Sequence, residues 1–293
     1  LPAMSRRQRQ MCIRDRLMTA QVWMGYLVDA REDFTVIQSP FVLNGSRVYG
    51  ADSDATTLAV AGMLHRLRSE SVSSVTAPDG IDTVSFAGAT GVPHHSEDAT
   101  DEAPWDLLVG DEATVVLARQ GATVELTALD VEIDVDADFH QAMEAAWAAE
   151  QSTFHVSQGA YVSRAQYEEA ASSRLSLQGQ ASVDTVVWPP RYTYMVDGNE
   201  AQPRRLQRTG KVLSWTTLSA AGAPSEFSLR APLLGGISTV FLQLDDGPKG
   251  VFLAVDDETP AFGMDVPMEL VFRRLYAQEG FIRYGLKART ITD

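Results

Sequence analysis

Apolar and polar positions follow two different rhythms along the chain. In Ala51–Glu70, Leu58, Ala59, Ala61, Gly62, Leu64 and Leu67 recur at helical spacing, and Asp52, Ser53 and Asp54 offer caps, so a helix is predicted there. The dense apolar run Ile81–Ala89 predicts a buried strand, followed by a loop through Gly91, Pro93, His94 and His95. Leu107–Ala118 and Thr123–Val135 read as two more strands, Phe139–Glu150 and Arg164–Arg174 as helices, and Ser96–Asp106 as an exposed acidic stretch. The rhythm changes near residue 180. Leu206–Leu218, Ile237–Leu244, Gly250–Val255, Val266–Phe272 and Phe281–Ala288 then read as strands. Turn signals at Asp246-Gly247-Pro248, at Pro260 with Gly263 and at Glu279-Gly280 separate them. Five short strands in about 85 residues suit a small Greek-key barrel of the OB type. The expected fold class is an α+β N-terminal domain followed by an all-β OB-fold barrel. No fixed-period repeat is visible.

Composition narrows the function classes. Of the 293 residues 45% are hydrophobic, ample for a core, and no apolar run approaches the roughly 18 residues of a membrane span. A cytoplasmic location without membrane association is therefore expected. The net charge of −15 should repel phosphate backbones unless the cations are gathered on one face. From Asp79 to Glu150 there are 17 acids and one base, Arg119, the composition of a solvated surface. From Asn199 to Asp293 acids and bases balance at 11 each. The single cysteine, Cys12, excludes intramolecular disulfides and multi-cysteine zinc sites. It lies in Leu1–Arg16, a basic stretch without the apolar core of a signal peptide. That stretch, MCIRDR above all, resembles translated sequencing-adapter read-through. It is expected to be foreign to the fold, with Met18 or Met24 as the start.

Among the candidate chemical groups, Arg204, Arg205, Arg208 and Lys211 place four cations in eight residues. Such a patch fits a phosphate-bearing ligand or an acidic partner, because arginine can grip phosphate bidentately. The same residues also fit a charged strand edge that resists aggregation. A third reading is a single-strand nucleic-acid groove, with Trp215, Phe227 and Phe241 as stacking aromatics. His94, His95, Glu97 and Asp98 are the nearest approach to a metal set, although neighbouring loop histidines rarely face one ion. Ser85 and Ser96 lie near these histidines, but no Gly-x-Ser-x-Gly elbow accompanies them. His65, His140 and His155 are isolated and read as structural or solvent-facing. No Walker or Rossmann glycine motif occurs.

Four motifs carry a family resemblance. They are Trp188-Pro189-Pro190-Arg191, Gly210-Lys211-Val212, the turn Leu244-Asp245-Asp246-Gly247-Pro248, and Gly263-Met264-Asp265-Val266. Their order resembles the acyl-CoA-associated family in which a rubredoxin-like zinc ribbon precedes an OB fold, long catalogued as a domain of unknown function. The resemblance spans roughly Tyr167–Arg289. The family's two Cys-x-x-Cys pairs are replaced here by Gln180, Val183, Tyr194 and Asp197, which cannot supply tetrahedral zinc. The ribbon is therefore expected to hold by packing of Val183, Val187, Trp188 and Tyr194 without metal, with Trp188 as a packed connector. The resemblance implies a scaffold that holds acyl-CoA or docks on a thiolase-like or hydroxymethylglutaryl-CoA synthase-like enzyme.

Further N-terminal, Met24-Gly25-Tyr26-Leu27, Asp54–Ala59, Val84–Gly88 and Gly110–Val115 resemble pieces of a thiolase-fold protein of the hydroxymethylglutaryl-CoA synthase kind. The implied organisation is a tail over 1–17, a shortened thiolase-like domain over 18–162, a helix with a degenerate ribbon over 163–200, and an OB domain over 201–293. That superfamily acylates a cysteine, and none follows Cys12. The expected function is thus a non-catalytic accessory protein with CoA or acyl-CoA as ligand, held by Arg204, Arg205, Arg208 and Lys211. The alternatives are an acyl-CoA synthase or thiolase-type enzyme using another nucleophile, and an OB-fold single-strand binder.

Overall fold

The computed structural model describes residues 21–96, 103–124, 129, 131–152, 174–183, 185–190, 195–196, 199–259, 261–278 and 280–291. Two compact units emerge. The first runs from the start of the described residues to Tyr49 and from Asp54 to Val135; the second joins Gly50–Ser53 to the chain from Asp136 onward.

In the first unit, β1 (Gln21–Trp23), β2 (Tyr26–Ala30) and β3 (Phe34–Gln38) form an antiparallel meander. Then come β4 (Phe41–Leu43), β5 (Ser46–Arg47), α1 (Ala55–Arg66), β6 (Val75–Ala77), α2 (Thr83–Thr90), β7 (His94–Ser96), β8 (Trp105–Gly110), β9 (Thr114–Arg119) and β10 (Ile133–Asp134). The main sheet is ordered β1-β2-β3-β9-β8-β6-β7; β6 pairs in parallel with both neighbours and the other pairs are antiparallel. β10, β4 and β5 make a small separate sheet. This mixture of sheets and helices is the expected α+β class.

α1 begins where its caps predict. The Asp54 carboxylate accepts from Thr57 N at 3.0 Å while Thr57 Oγ1 accepts from Asp54 N at 2.9 Å, a reciprocal box that satisfies two orphan amides. Its buried face carries Leu58, Ala59 and Met63, and Gly62 lets Ile37 of β3 approach closely.

Two expectations need correcting here. Ile81–Ala89 is not a strand: Thr83–Thr90 is helical. Asp82 accepts from Ser85 N at 2.9 Å and Gly91 closes the helix at φ 76°, so both ends carry helix signals and the apolar run between them is helix core. Leu107–Ala118 is not one strand but a hairpin, β8 and β9, turning at Asp111–Ala113 where Glu112 and Ala113 take positive φ. Within Thr123–Val135 only Ile133–Asp134 is a strand among the described residues.

In the second unit, α3 (Ala137–Ser152) covers the expected helix Phe139–Glu150. The candidate helix Arg164–Arg174 falls almost wholly outside the described residues, as does the basic stretch Leu1–Arg16. β11 (Gln178–Ala181), β12 (Val186–Val187) and β15 (Gln202–Arg205) form a three-stranded sheet; β13 (Met195–Val196) pairs with β14 (Asn199–Glu200). β16 (Thr209–Leu218), β17 (Ile237–Leu244), β18 (Lys249–Ala254), β19 (Pro267–Gln278) and β20 (Phe281–Thr290) close a barrel in the order β16-β17-β18-β20-β19. β19 returns to β16, and β18 and β20 run parallel, which is the connectivity of an OB-type barrel.

Alternation sets the barrel interior. Val240, Leu242 and Leu244 of β17 face Met268 and Leu270 of β19 and Leu286 and Ala288 of β20. Trp188 packs on this core, its ring stacked on Phe252 at 5.7 Å, and serves as the expected packed connector. Val183 does not pack: it is 98% exposed. It sits in the turn after β11, beyond the last paired residue Ala181, so no strand holds it against the barrel. Tyr194, Asp197 and Arg191 lie outside the described residues.

Gly210 shows why the second motif opens on glycine. It is paired with Leu244 on one side and Met268 on the other, and a Cβ there would stand 2.5 Å from the Gln243 carbonyl oxygen. Gly210→Ala should therefore part β16 from β17 and lower stability by about 2–4 kcal/mol. Chemical denaturation of the two proteins checks this; an unchanged midpoint would contradict it.

Candidate functional site

The four expected cations fall at the junction of β15 and β16. Arg204 and Arg205 are consecutive in β15, so their side chains leave opposite faces. Arg204 Nη2 binds the buried Asp246 carboxylate at 2.5 Å, which also accepts from Gln207 N at 2.5 Å. The Leu244–Pro248 turn is thereby tied to β15. Arg208 is half-buried, with Nη2 donating to Leu175 O at 2.9 Å, while its enclosed Nη1 has no acceptor among the described residues. Burial, and then repulsion from Arg205, push the Arg208 guanidinium down to about 10. Lys211 is exposed on β16 between Gly210 and Val212, both of which point inward. The structure thus encloses Arg208, commits Arg204 to Asp246, and leaves Lys211 on the barrel wall.

At the other end of β17 lies a feature that sequence spacing did not reveal. A cavity of about 430 Å³ is lined by Phe139 of α3, by Phe227, Arg230, Leu233 and Leu234 of the β16–β17 connection, by Gly236, Ile237 and Ser238, by Leu253–Thr259, and by Lys287 of β20. Its lining residues Arg230, Asp256 and Lys287 belong to a chain of enclosed ions. Glu150 of α3 accepts from Arg230 Nε at 3.0 Å through both oxygens, and Arg230 Nη1 reaches Asp256 at 2.9 Å. Lys287 Nζ is 2.8 Å from both Asp256 and Asp52. Asp52 Oδ2 also accepts from Asp256 N at 3.0 Å, and Arg273 Nε stands 3.4 Å from Asp52 Oδ1. Arg230 further donates to Leu275 O at 2.8 Å and lies over the Trp147 ring at 3.8 Å.

Environment separates these carboxyls. Burial favours the neutral form of Asp52, yet Lys287 and Arg273, with two hydrogen bonds, outweigh it and hold the group below the usual carboxylate range. Glu150 is raised, because burial outweighs the pull of Arg230. Asp257 goes furthest. Burial, then repulsion from Asp52 and Glu258, push it up to about 7 against the attraction of Arg273 and Arg289.

The nucleic-acid reading loses its aromatic track. Phe227 is buried, edge-on to Tyr276, because its 3₁₀ turn tucks it under the barrel with Ala231 and Ile237. Phe241 is half-buried; Trp215 alone of the three is exposed, stacked on Phe262. His94 and His95 are successive residues of β7, so they point to opposite faces, and Glu97 and Asp98 lie outside the described residues. Ser85 is buried in α2, with no histidine contact among the described residues. No helix among the described residues is long and apolar enough to cross a membrane.

No protein-family model matches the chain, and no curated protein does. Among solved structures it is similar to one titled "Ltp2-ChsH2(DUF35) aldolase", at 21% identity and a TM-score of 0.32; the match covers 44% of this chain and 96% of that one.

The raised Asp257 makes a signed prediction. A carboxyl with a folded value near 7 and an unfolded value near 4 binds its proton more tightly when folded, so it supports stability at low pH and withdraws that support as pH rises through 7. Asp257→Asn removes the titration. Relative to wild type, the variant's melting temperature should rise from pH 5 to pH 8. A difference that stays flat across this window, or moves the other way, would contradict the assignment.

Proposed function

We propose that the protein is a non-catalytic accessory factor that holds CoA or acyl-CoA through the Arg205–Arg208 pair, for a thiolase-like or hydroxymethylglutaryl-CoA synthase-like partner. The observation that carries this reading is the enclosed Nη1 of Arg208, which lacks an acceptor among the described residues. A phosphate oxygen would supply that acceptor. Arg204 is spent on Asp246, so it positions the turn, and Lys211 adds a solvent-side charge.

Three further observations support the reading. The motif order resembles an acyl-CoA-associated family. No cysteine follows Cys12, so the usual acyl-transfer nucleophile is missing from the whole described region. Trp215, Val251 and Met264 are apolar side chains left exposed in this unit, at 44%, 66% and 63%, each open to a partner enzyme.

A thermal-shift titration of the full chain with CoA and acetyl-CoA tests this. Saturation near a hundred times Kd stabilises by about 2.7 kcal/mol, roughly 5 °C or more for a domain of this size. The shift should disappear in Arg205→Ala/Arg208→Ala and should be absent with adenosine, which carries no phosphate. Wild-type protein that gives no shift with either CoA ester would overturn the reading.

A further inference from the structure

The cavity at the Ile237 end of β17 contains a carboxyl group to which no described residue donates a hydrogen bond. The Asp257 side chain is only 6% exposed and lines the cavity, yet no hydrogen bond reaches it among the described residues; Arg273 Nε stands 3.9 Å away. The nearby cations are committed elsewhere. Lys287 binds Asp52 and Asp256, Arg230 binds Glu150 and Asp256, and Arg289 is shared by Glu258 and Glu269. A buried carboxylate without hydrogen-bond donors is costly, so Asp257 offers an acceptor that a ligand in the cavity can satisfy. The upper wall is apolar, formed by Phe227, Leu234 and Leu253.

We propose that this cavity binds a small organic amine, its ammonium on Asp257 and its apolar body against Phe227, Leu234 and Leu253. The volume of about 430 Å³ lies in the range of small-molecule sites. The ammonium donates the hydrogen bonds that Asp257 does not receive from the described residues. The site stands on different residues from the Arg205–Arg208 pair. β17 spans eight residues, which separates the two ends by about 23 Å. Failure of one reading therefore leaves the other standing.

Protonation should gate the ligand. Asp257, raised to about 7 by burial first, is faced by Asp52 and Glu258, which raise it, and by Arg273 and Arg289, which lower it; Asp256, Lys287 and Arg230 also line the cavity, and Glu150 is bound to Arg230. At pH 8 the carboxyl is charged and accepts an ammonium; at pH 6 it is mostly neutral. With only the charged fraction competent, affinity falls by about tenfold between these values.

Isothermal titration of the full chain with phenethylamine, which stays an ammonium throughout this range, tests the proposal. Hexanoate and magnesium chloride serve as controls. Saturable binding is expected at pH 8, weaker by about tenfold at pH 6, with proton release near pH 7 seen as a buffer-dependent heat. It should be lost in Asp257→Asn, and also in Ser238→Phe, which fills the cavity without touching the ion chain. Several results would overturn the proposal: no binding at pH 8, equal binding by Asp257→Asn with its fold retained, binding of hexanoate, or displacement of the amine by magnesium at millimolar concentration.

Discussion

Asp52 is fully enclosed, and a carboxylate in that place stays ionised only because Lys287 and Arg273 stand beside it. Taking such a group out of water costs several kcal/mol per ion, so geometry must recover it. The recovery recruits distant segments. Gly50–Ser53 brings Asp52, α3 brings Glu150, the turn after β18 brings Asp256, and β19 and β20 bring Arg273 and Lys287. Backbone contacts lock the same segments together: Arg274 N donates to Asp52 O at 3.0 Å and Trp147 Nε1 to Ala51 O at 2.7 Å. Asp257, 3.9 Å from Arg273 Nε, is raised by its burial first and then by repulsion from Asp52.

The barrel carries a second charged arrangement at the opposite end of β17, built on a different principle. There the turn Asp245-Asp246 is clamped, Thr209 Oγ1 donating to Asp245 and Arg204 to Asp246, while Arg208 is enclosed with Nη1 lacking an acceptor among the described residues. The core between them is apolar throughout, with Trp188 laid on Phe252 near the Arg end, where Gly250 admits the indole edge.

The sequence made the barrel legible because its strands alternate and its turns carry glycine or proline; all five strands fall where the period-two rhythm puts them. Short apolar runs were ambiguous. Ile81–Ala89 holds Val, Phe and Ala in a density that suits a strand, and only Asp82 and Gly91 at its ends mark a helix. The ion chain was hidden for a different reason. Asp52 resembles a helix cap beside Asp54, and Arg273, Arg283 and Lys287 interrupt apolar strands in the manner of edge charges. Linear spacing cannot tell a solvated charge from one paired across two hundred residues. The four-cation patch shows the converse: a tight cluster in sequence that strand alternation and Asp246 divide into separate duties.

Hydrogen–deuterium exchange of the full chain with and without CoA tests the central claim most directly, because it reports which end of the barrel the phosphates occupy. The account predicts slower exchange at Gln202–Lys211 and in the Asp245–Gly247 turn, with Leu253–Thr259 unchanged. Protection confined to Leu253–Thr259, or none at saturating CoA, would contradict it.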